Sequence, residues 1–353
     1  MIPVPFFVVA WCFVVGACIG SFLNVVVWRL PRGMSLSWPG SLCPACRKPI
    51  LFRDNVPIFG WLFLRGHCRA CGAKIAPRYP IVEFLTATTF AILAYVELVG
   101  AGENLPRVVP DSSSGLVGVW IYHSALMALL IVTALFEFDG VRPPRELIAA
   151  GIVAVVIASL LFPNLYPVPM TGASGLLADR GDESFGAAEA LVGFVGLLFG
   201  GALGAALEWG TAGGGPIREL RRTGTLALAL CGGFLGWQAA VSTAAIVAVV
   251  LVFAQVTELW RPVEASQSAE VQARRLHHNS RDLRLQPAIL IAIVTLAEIV
   301  GWDKLAAASW WPGPYASDRR MGAASLAVAA ASMLLAALVR FSRVRSDPPR
   351  MVN

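Results

Sequence analysis

Two groups of side chains in this sequence have the types and spacing for chemistry. The first is a pair of acids, Glu137 and Asp139, in "ALFEFDGVRPP" (Ala134–Pro144), where a long apolar run ends. Acids at the end of an apolar helix raise the question of a partner carboxyl elsewhere in the chain, because neighbouring like charges push their pKa values apart and make acid–base work possible. The plainer reading is a solvated helix end, with Arg142 and Arg145 as interfacial partners. The second group is Cys43, Cys46, Cys68 and Cys71, in "LCPACRKPI" and "HCRACGAKI", a C-x2-C-x21-C-x2-C pattern. Two such knuckles can wrap a tetrahedral ion, and thiolates suit Zn2+. The alternatives are four unligated thiols or a redox pair. His67 beside Cys68 reads as a bystander, since four sulfurs complete such a site.

The elements that must position these groups belong in a bilayer. The chain is 57% hydrophobic and only 14% charged, with a mean hydropathy of +0.68, against roughly a quarter charged in soluble domains. Candidate spans fall at about 4–28, 80–99, 116–136, 147–163, 187–209, 225–238, 239–257, 286–302 and 322–340. Each approaches the ~20 apolar residues that cross a hydrocarbon core. The run from Thr225 to Val256 is too long for one crossing, and "GGFLGW" offers the place to divide it. The expected fold is therefore an all-α polytopic membrane protein of about eight to nine transmembrane helices, with a small cytoplasmic zinc module between the first two.

Charge sets the orientation. Segment 29–78 holds nine Lys or Arg and a single acid, Asp54. By the positive-inside rule it is cytoplasmic and the N-terminus lies outside. Alternation then puts 137–146, 210–224, 258–285 and the basic tail after 340 inside, each with arginines. The first span lacks the basic start of a removable signal peptide and reads as retained. The basic loop interleaves Phe59, Trp61 and Phe63 with arginines, but a loop gripped by two spans meets anionic lipid rather than nucleic acid. Its few large apolar residues leave a structural metal as the source of stability.

Other groups read as structural. Cys12, Cys18 and Cys231 pack within spans, His123 opens one, and adjacent His277 and His278 do not share a helix face. Glu298 lies inside an apolar run, where ionisable groups are costly. No Gly-rich nucleotide fingerprint is present.

Several stretches carry a resemblance: "GSFLNVVVWRLPRG" (Gly20–Gly33), the paired CxxC motifs, "NVPIFGWLFLRGHCRACG" (Asn55–Gly72) and "RYPIVEFLTA" (Arg78–Ala87). Here the sequence resembles the prepilin leader peptidase/N-methyltransferase family over almost all of residues 14–90. Weaker signals, "GGFLGW" and "LQPAILIAIVTLAEIVGW", extend it to about residue 302. The resemblance implies an aspartyl protease of the bacterial inner membrane. Such an enzyme cuts the leader of type IV pilin or type II secretion pseudopilin precursors and methylates the new amino terminus from S-adenosylmethionine. On the methyl-donor side the matching positions are Gly20, Ser21, Asn24, Asn55 and Glu83.

The family's first catalytic Asp lies seven residues before a proline. Seven before Pro144 is Glu137, with Asp139 matching a second acid of that motif. The family's second Asp closes a GxGD motif at the start of a later span. In "ELRRTGTLALAL" that place falls on Gly224 or Thr225, so the second motif is degenerate. Glu219 and Glu208 are the nearest acids upstream, outside the motif's context. The expected division is a first span (1–28), the zinc module (29–79), a peptidase-like membrane domain (80–302), and an extra span with a basic tail (303–353). The rival to an active peptidase is an inactive relative that binds pilin-like helices or assists assembly.

Overall fold

The computed structural model describes residues 4–105, 113–161, 185–211, 222–259 and 286–306. Among these the chain is helical, with no strand beyond two isolated bridges. The helices are α1 (Val4–Arg29), α2 (Phe59–Phe63), α3 (Arg78–Leu93), α4 (Ser113–Phe138) and α5 (Arg145–Leu161). They continue with α6 (Phe185–Thr211), α7 (Thr223–Leu235), α8 (Trp237–Leu259), α9 (Pro287–Val300) and α10 (Trp302–Ala306). Four helical segments are long and apolar enough to cross a membrane: Val4–Arg32, Arg78–Val99, Gly115–Phe138 and Trp237–Ala254. Gly193–Trp209, Thr223–Leu235 and Pro287–Val300 are shorter apolar helices. The expected span at 322–340 lies outside the described residues.

The long run after Thr225 does divide, at Gly236, whose φ of 90° and ψ of 162° no helix contains. Glycine meets that backbone without a Cβ penalty. The helix α3 runs on into a π-helical stretch, Ala94–Val99.

Helix pairs pack through small residues. The most extensive contact joins α6 to α7, and the next joins α1 to α3. Along α6, Gly196, Gly200 and Gly204 recur every four residues and so share one face. They abut the backbone of Gly232, Leu228 and Gly224 in α7, and a Cβ at any of the three would collide there. Lipid tails are as apolar as leucine, so close van der Waals packing drives such contacts. Gly16 and Gly20 of α1 do the same: a Cβ on either would lie 2.8 Å from the Cα of Ala87 or Glu83 in α3. Between the helices a continuous apolar core includes Leu126, Leu130, Phe136, Leu228, Phe234 and Ile291, all sealed from the surface. Phe6, Phe7, Trp11 and Phe22 point outward from α1, as a lipid-facing helix surface requires.

Residues 30–77 form a compact unit tied to the end of α1. The buried Arg29 guanidinium donates to the carbonyls of Ser35, Leu36 and Gly40 at 3.0–3.4 Å. Arg69 grips Asp54 through two bonds of 2.7 and 2.8 Å, and the Trp61 indole donates to the Ile75 carbonyl.

Candidate functional site

Glu137 ends its helix in a defined way. The amides of Gly140 and Val141 turn back to the carbonyls of Glu137 and Phe136, and Gly140 takes φ 70°. A left-handed residue of this kind stops a helix while satisfying its last carbonyls. The turn separates the fates of the two acids. Asp139 points to the rim, where Arg78 pairs with it at 2.5 Å and lies over the Phe138 ring. Glu137 points inward and is only 5% exposed. Its Oε1 accepts the Thr223 hydroxyl at 3.0 Å, and its Oε2 accepts the Ala288 amide at 2.7 Å. Ala288 sits in the first turn of α9, where amides lack intrahelical partners and the helix dipole favours a negative charge.

Thr223 opens α7, and here lies the degenerate motif. The Gly224 amide donates to Glu208 Oε1 at 2.7 Å, and the Thr225 hydroxyl donates to Glu208 Oε2 at 2.8 Å. Glu208 Oε1 is also 3.4 Å from the Thr223 hydroxyl. Thus Gly224 and Thr225, which carry no acid of their own, surround a buried carboxylate from the preceding helix. Glu137 and Glu208 both reach one hydroxyl, which has a single proton and can donate to only one of them at a time.

Sequence reasoning set Glu208 aside because it stands outside any motif. A signal for it was nevertheless present: Gly196, Gly200, Gly204 and Glu208 follow one another at four-residue intervals. The face that brings α6 against α7 therefore ends in this carboxylate. Glu219, His277 and His278 lie outside the described residues.

The four cysteines converge. Their Sγ atoms all lie within 4.8 Å of one another, and Cys43 and Cys71 are 3.9 Å apart. A tetrahedral site with ~2.3 Å metal–sulfur bonds has edges of about 3.8 Å, so the donor set fits a metal ion. The two knuckles share one local fold. In each, the first Cys amide bonds to a carbonyl five residues on, and the amide four residues on returns to the Cys carbonyl. Arg47 and Gly72 take the same left-handed position. The backbone amide of Cys46 is the main influence that lowers the Cys43 thiol to about 7, helped by nearby thiols. Against the pull of the Ala73 amide, burial and the neighbouring thiols push Cys71 the other way, to about 11, so without a metal the four sulfurs do not ionise alike. His67 instead bonds the Arg65 carbonyl through Nδ1.

The residues of the methyl-donor side also come together in part. Glu83 is buried; its Oε2 accepts the Ile58 amide at 2.6 Å and its carboxylate also meets the Ser21 hydroxyl. Ile58 takes φ 64° to present that amide, a conformation unusual for a β-branched residue. Gly20 lies directly against Glu83, and Asn24 spans the Gly20 and Tyr79 carbonyls at 3.3 Å. The Asn55 amide caps the 3₁₀ turn Phe52–Asp54, three residues before Ile58. Burial makes the Glu83 charge costly, while the Ile58 amide and the Ser21 hydroxyl favour it; it is the one acidic group among these residues to which a cationic methyl donor could be drawn.

Two further buried acids have partners. Glu298 accepts the Thr243 hydroxyl at 2.6 Å, and Glu97, in the π-helical stretch, meets His123 of α4 with both side chains sealed.

Residues 14–97 match the family model described as Bacterial Peptidase A24 N-terminal domain. A prepilin leader peptidase/N-methyltransferase from Klebsiella pneumoniae is 38% identical over 148 residues, covering 40% of this chain and 59% of that protein. One from Myxococcus xanthus is 36% identical over 160 residues, covering 45% and 42%. One from Pectobacterium carotovorum is 29% identical over 286 residues, covering 74% and 88%. The chain thus spans about half the length of the first two relatives. No solved structure matches it. The N-terminal quarter of the chain thus matches the Peptidase A24 N-terminal domain, and similarity to a prepilin leader peptidase/N-methyltransferase runs through three quarters of its length.

Proposed function

We propose that this protein processes prepilin-like precursors in the bacterial inner membrane, cutting a short leader and N-methylating the new terminus. The observation that carries the reading is Glu137: a buried carboxylate at the place of the family's first catalytic acid, facing the helix start that corresponds to the second motif. The relatives' names, prepilin leader peptidase/N-methyltransferase, support prepilins as the substrate class, and the family resemblance adds type II secretion pseudopilin precursors. Glu137 exchanges a proton with the attacking water. Asp139, held by Arg78, fixes the end of α4 beside it.

The orientation follows from charge: N-terminus outside, residues 29–78 and the C-terminal tail cytoplasmic, against anionic lipid headgroups. That side is where a basic leader is reached. Cys43, Cys46, Cys68 and Cys71 hold a structural Zn2+, which ties the two knuckles into one unit. Ser21, Asn55 and Glu83, with Gly20 and Asn24 setting the α1–α3 approach, hold S-adenosylmethionine, which supplies the methyl group.

The test is cleavage and methylation of a pilin-like precursor from the same organism by the full chain in detergent. Parent protein should cut the precursor, and E137Q should not. An uncut precursor, with a cleavage-competent relative cutting it in parallel, would replace this reading with that of a relative that binds pilin-like helices without cleaving them.

A further inference from the structure

Hydrolysis by paired carboxyls needs a second acid, and the motif expected to supply one carries Gly224 and Thr225 instead. We propose that Glu208, from the helix before the degenerate motif, is the second catalytic carboxylate; the proposal rests on the prepilin-processing reading above.

Four observations carry it. Glu208 is 6% exposed, and an ionisable group at that depth in an apolar bundle is costly to keep. Its carboxylate is held by the Gly224 amide and the Thr225 hydroxyl, so it occupies the space that a side-chain acid on the first turn of α7 would fill. A Cβ on Gly224 would lie 3.2 Å from Glu208 Cγ, which shows how tightly the residue is seated. Finally, Glu208 and Glu137 both contact the hydroxyl of Thr223, at 3.4 and 3.0 Å. Two elements far apart in sequence, the end of α4 and the end of α6, thereby present one carboxyl each to a single point. Glu137 in turn takes the Ala288 amide. The amide-rich starts of α7 and α9 therefore supply the positive potential that lets two carboxyls sit close together.

The chemistry balances with these groups alone. The pair holds one proton between its two carboxyls. The ionised carboxylate takes a proton from water as the water oxygen bonds to the scissile carbonyl carbon, and the protonated carboxyl gives its proton to the carbonyl oxygen. In the collapse of the resulting diol, the C–N bond breaks toward nitrogen. The nitrogen takes the proton held by the first carboxyl, and one diol hydroxyl returns its proton to the second. Glutamate reaches one methylene further than aspartate. Here both partners are glutamates, each arriving from a helix end rather than from the first turn of α7. Thr223 is a positioning residue: its hydroxyl lies between the two acids and donates to one of them at a time.

The experiment uses the full chain in detergent with a pilin-like precursor, comparing parent, E208Q, E208D, T225D and E208Q/T225D. Melting and zinc content are recorded for each. E208Q is expected to lose at least 100-fold in kcat while melting like the parent. Returning a carboxylate, by E208D or by E208Q/T225D, is expected to recover at least tenfold of that loss. A merely structural Glu208 would show no such recovery from Asp at position 225. The proposal is overturned if E208Q cleaves within threefold of the parent, or if neither carboxylate-restoring variant recovers activity. It is also overturned if the parent is inert and T225D alone confers cleavage, which would mark a dismantled dyad. If parent and T225D both leave the precursor uncut, while a relative cuts it, the prepilin-processing reading itself fails.

Discussion

Gly204 controls how near α6 comes to α7, and Ala in its place should disturb both stability and catalysis. A Cβ at Gly204 would lie 2.5 Å from the Gly224 carbonyl oxygen and 2.6 Å from Thr225 Cα. Ordinary contact begins near 3.4 Å, so α6 must retreat by about 0.9 Å at that point. Rigid retreat stretches the 2.7 Å bond between Glu208 and the Gly224 amide to about 3.6 Å, outside the range for N–H···O bonds. Overpacking of this kind costs about 1–3 kcal/mol, and a ~1 Å misplacement of a reacting group costs about 100-fold in rate. Gly201 is the control, because a Cβ there meets only Ala229 Cβ at 3.7 Å. Gly→Ala within a helix is worth about 1 kcal/mol in propensity, so G201A should match or exceed the parent in stability. Denaturation in detergent and leader cleavage, measured on G204A and G201A together, check both effects. Equal stability and equal cleavage for the two variants would refute the argument that backbone contact at Gly204 sets the site.

Chelation should strip about one zinc per chain, as should C68S, and raise amide exchange across residues 40–76 but not along α6 and α7; metal analysis with hydrogen exchange reads this. D139N breaks only the rim pair with Arg78, whose side chains are 27% and 32% exposed. It should cost about 0.2–1 kcal/mol and change cleavage by a few-fold, against a loss of at least 100-fold for E137Q. H123A leaves the Glu97 carboxyl sealed without its hydrogen-bond partner, and a loss of about 1–3 kcal/mol is expected, visible as a lowered denaturation midpoint. The Arg69 hydrogen bond holds the Asp54 carboxyl below its ordinary 3.8. Its contribution is present above that value and fades as pH falls through the lower folded one. In metal-free protein, acidification should therefore speed exchange in residues 51–61, and R69Q should remove that acid dependence.

Much of the site was legible because its signals are local. A C-x2-C knuckle closes within six residues, so the spacing alone foretells four converging thiols, and the structure gathers them within 4.8 Å. Glu137 stood out only through the family resemblance, whose motif places an acid seven residues before a proline, while the turn at Gly140 shows locally where the helix stops. The division near "GGFLGW" was legible because only glycine takes the backbone found at Gly236. The different settings of Glu137 and Asp139 were not, because two residues apart on a helix end they face opposite ways, and only the neighbours decide which side is buried.

Glu208 was the least legible residue, for a physical reason. A motif search compares acids with their own neighbours in sequence, whereas this carboxylate is held by the start of the next helix, 16 and 17 residues on. Sequence by itself determined the membrane class, the metal-ready cysteines and the glycine spacing, because hydrophobic period, turn chemistry and ligand spacing all act over a few residues. Only the tertiary structure decided which second acid meets Glu137. That choice depends on how closely two glycine-faced helices pack, and on which orphan amides their ends bring to a buried charge.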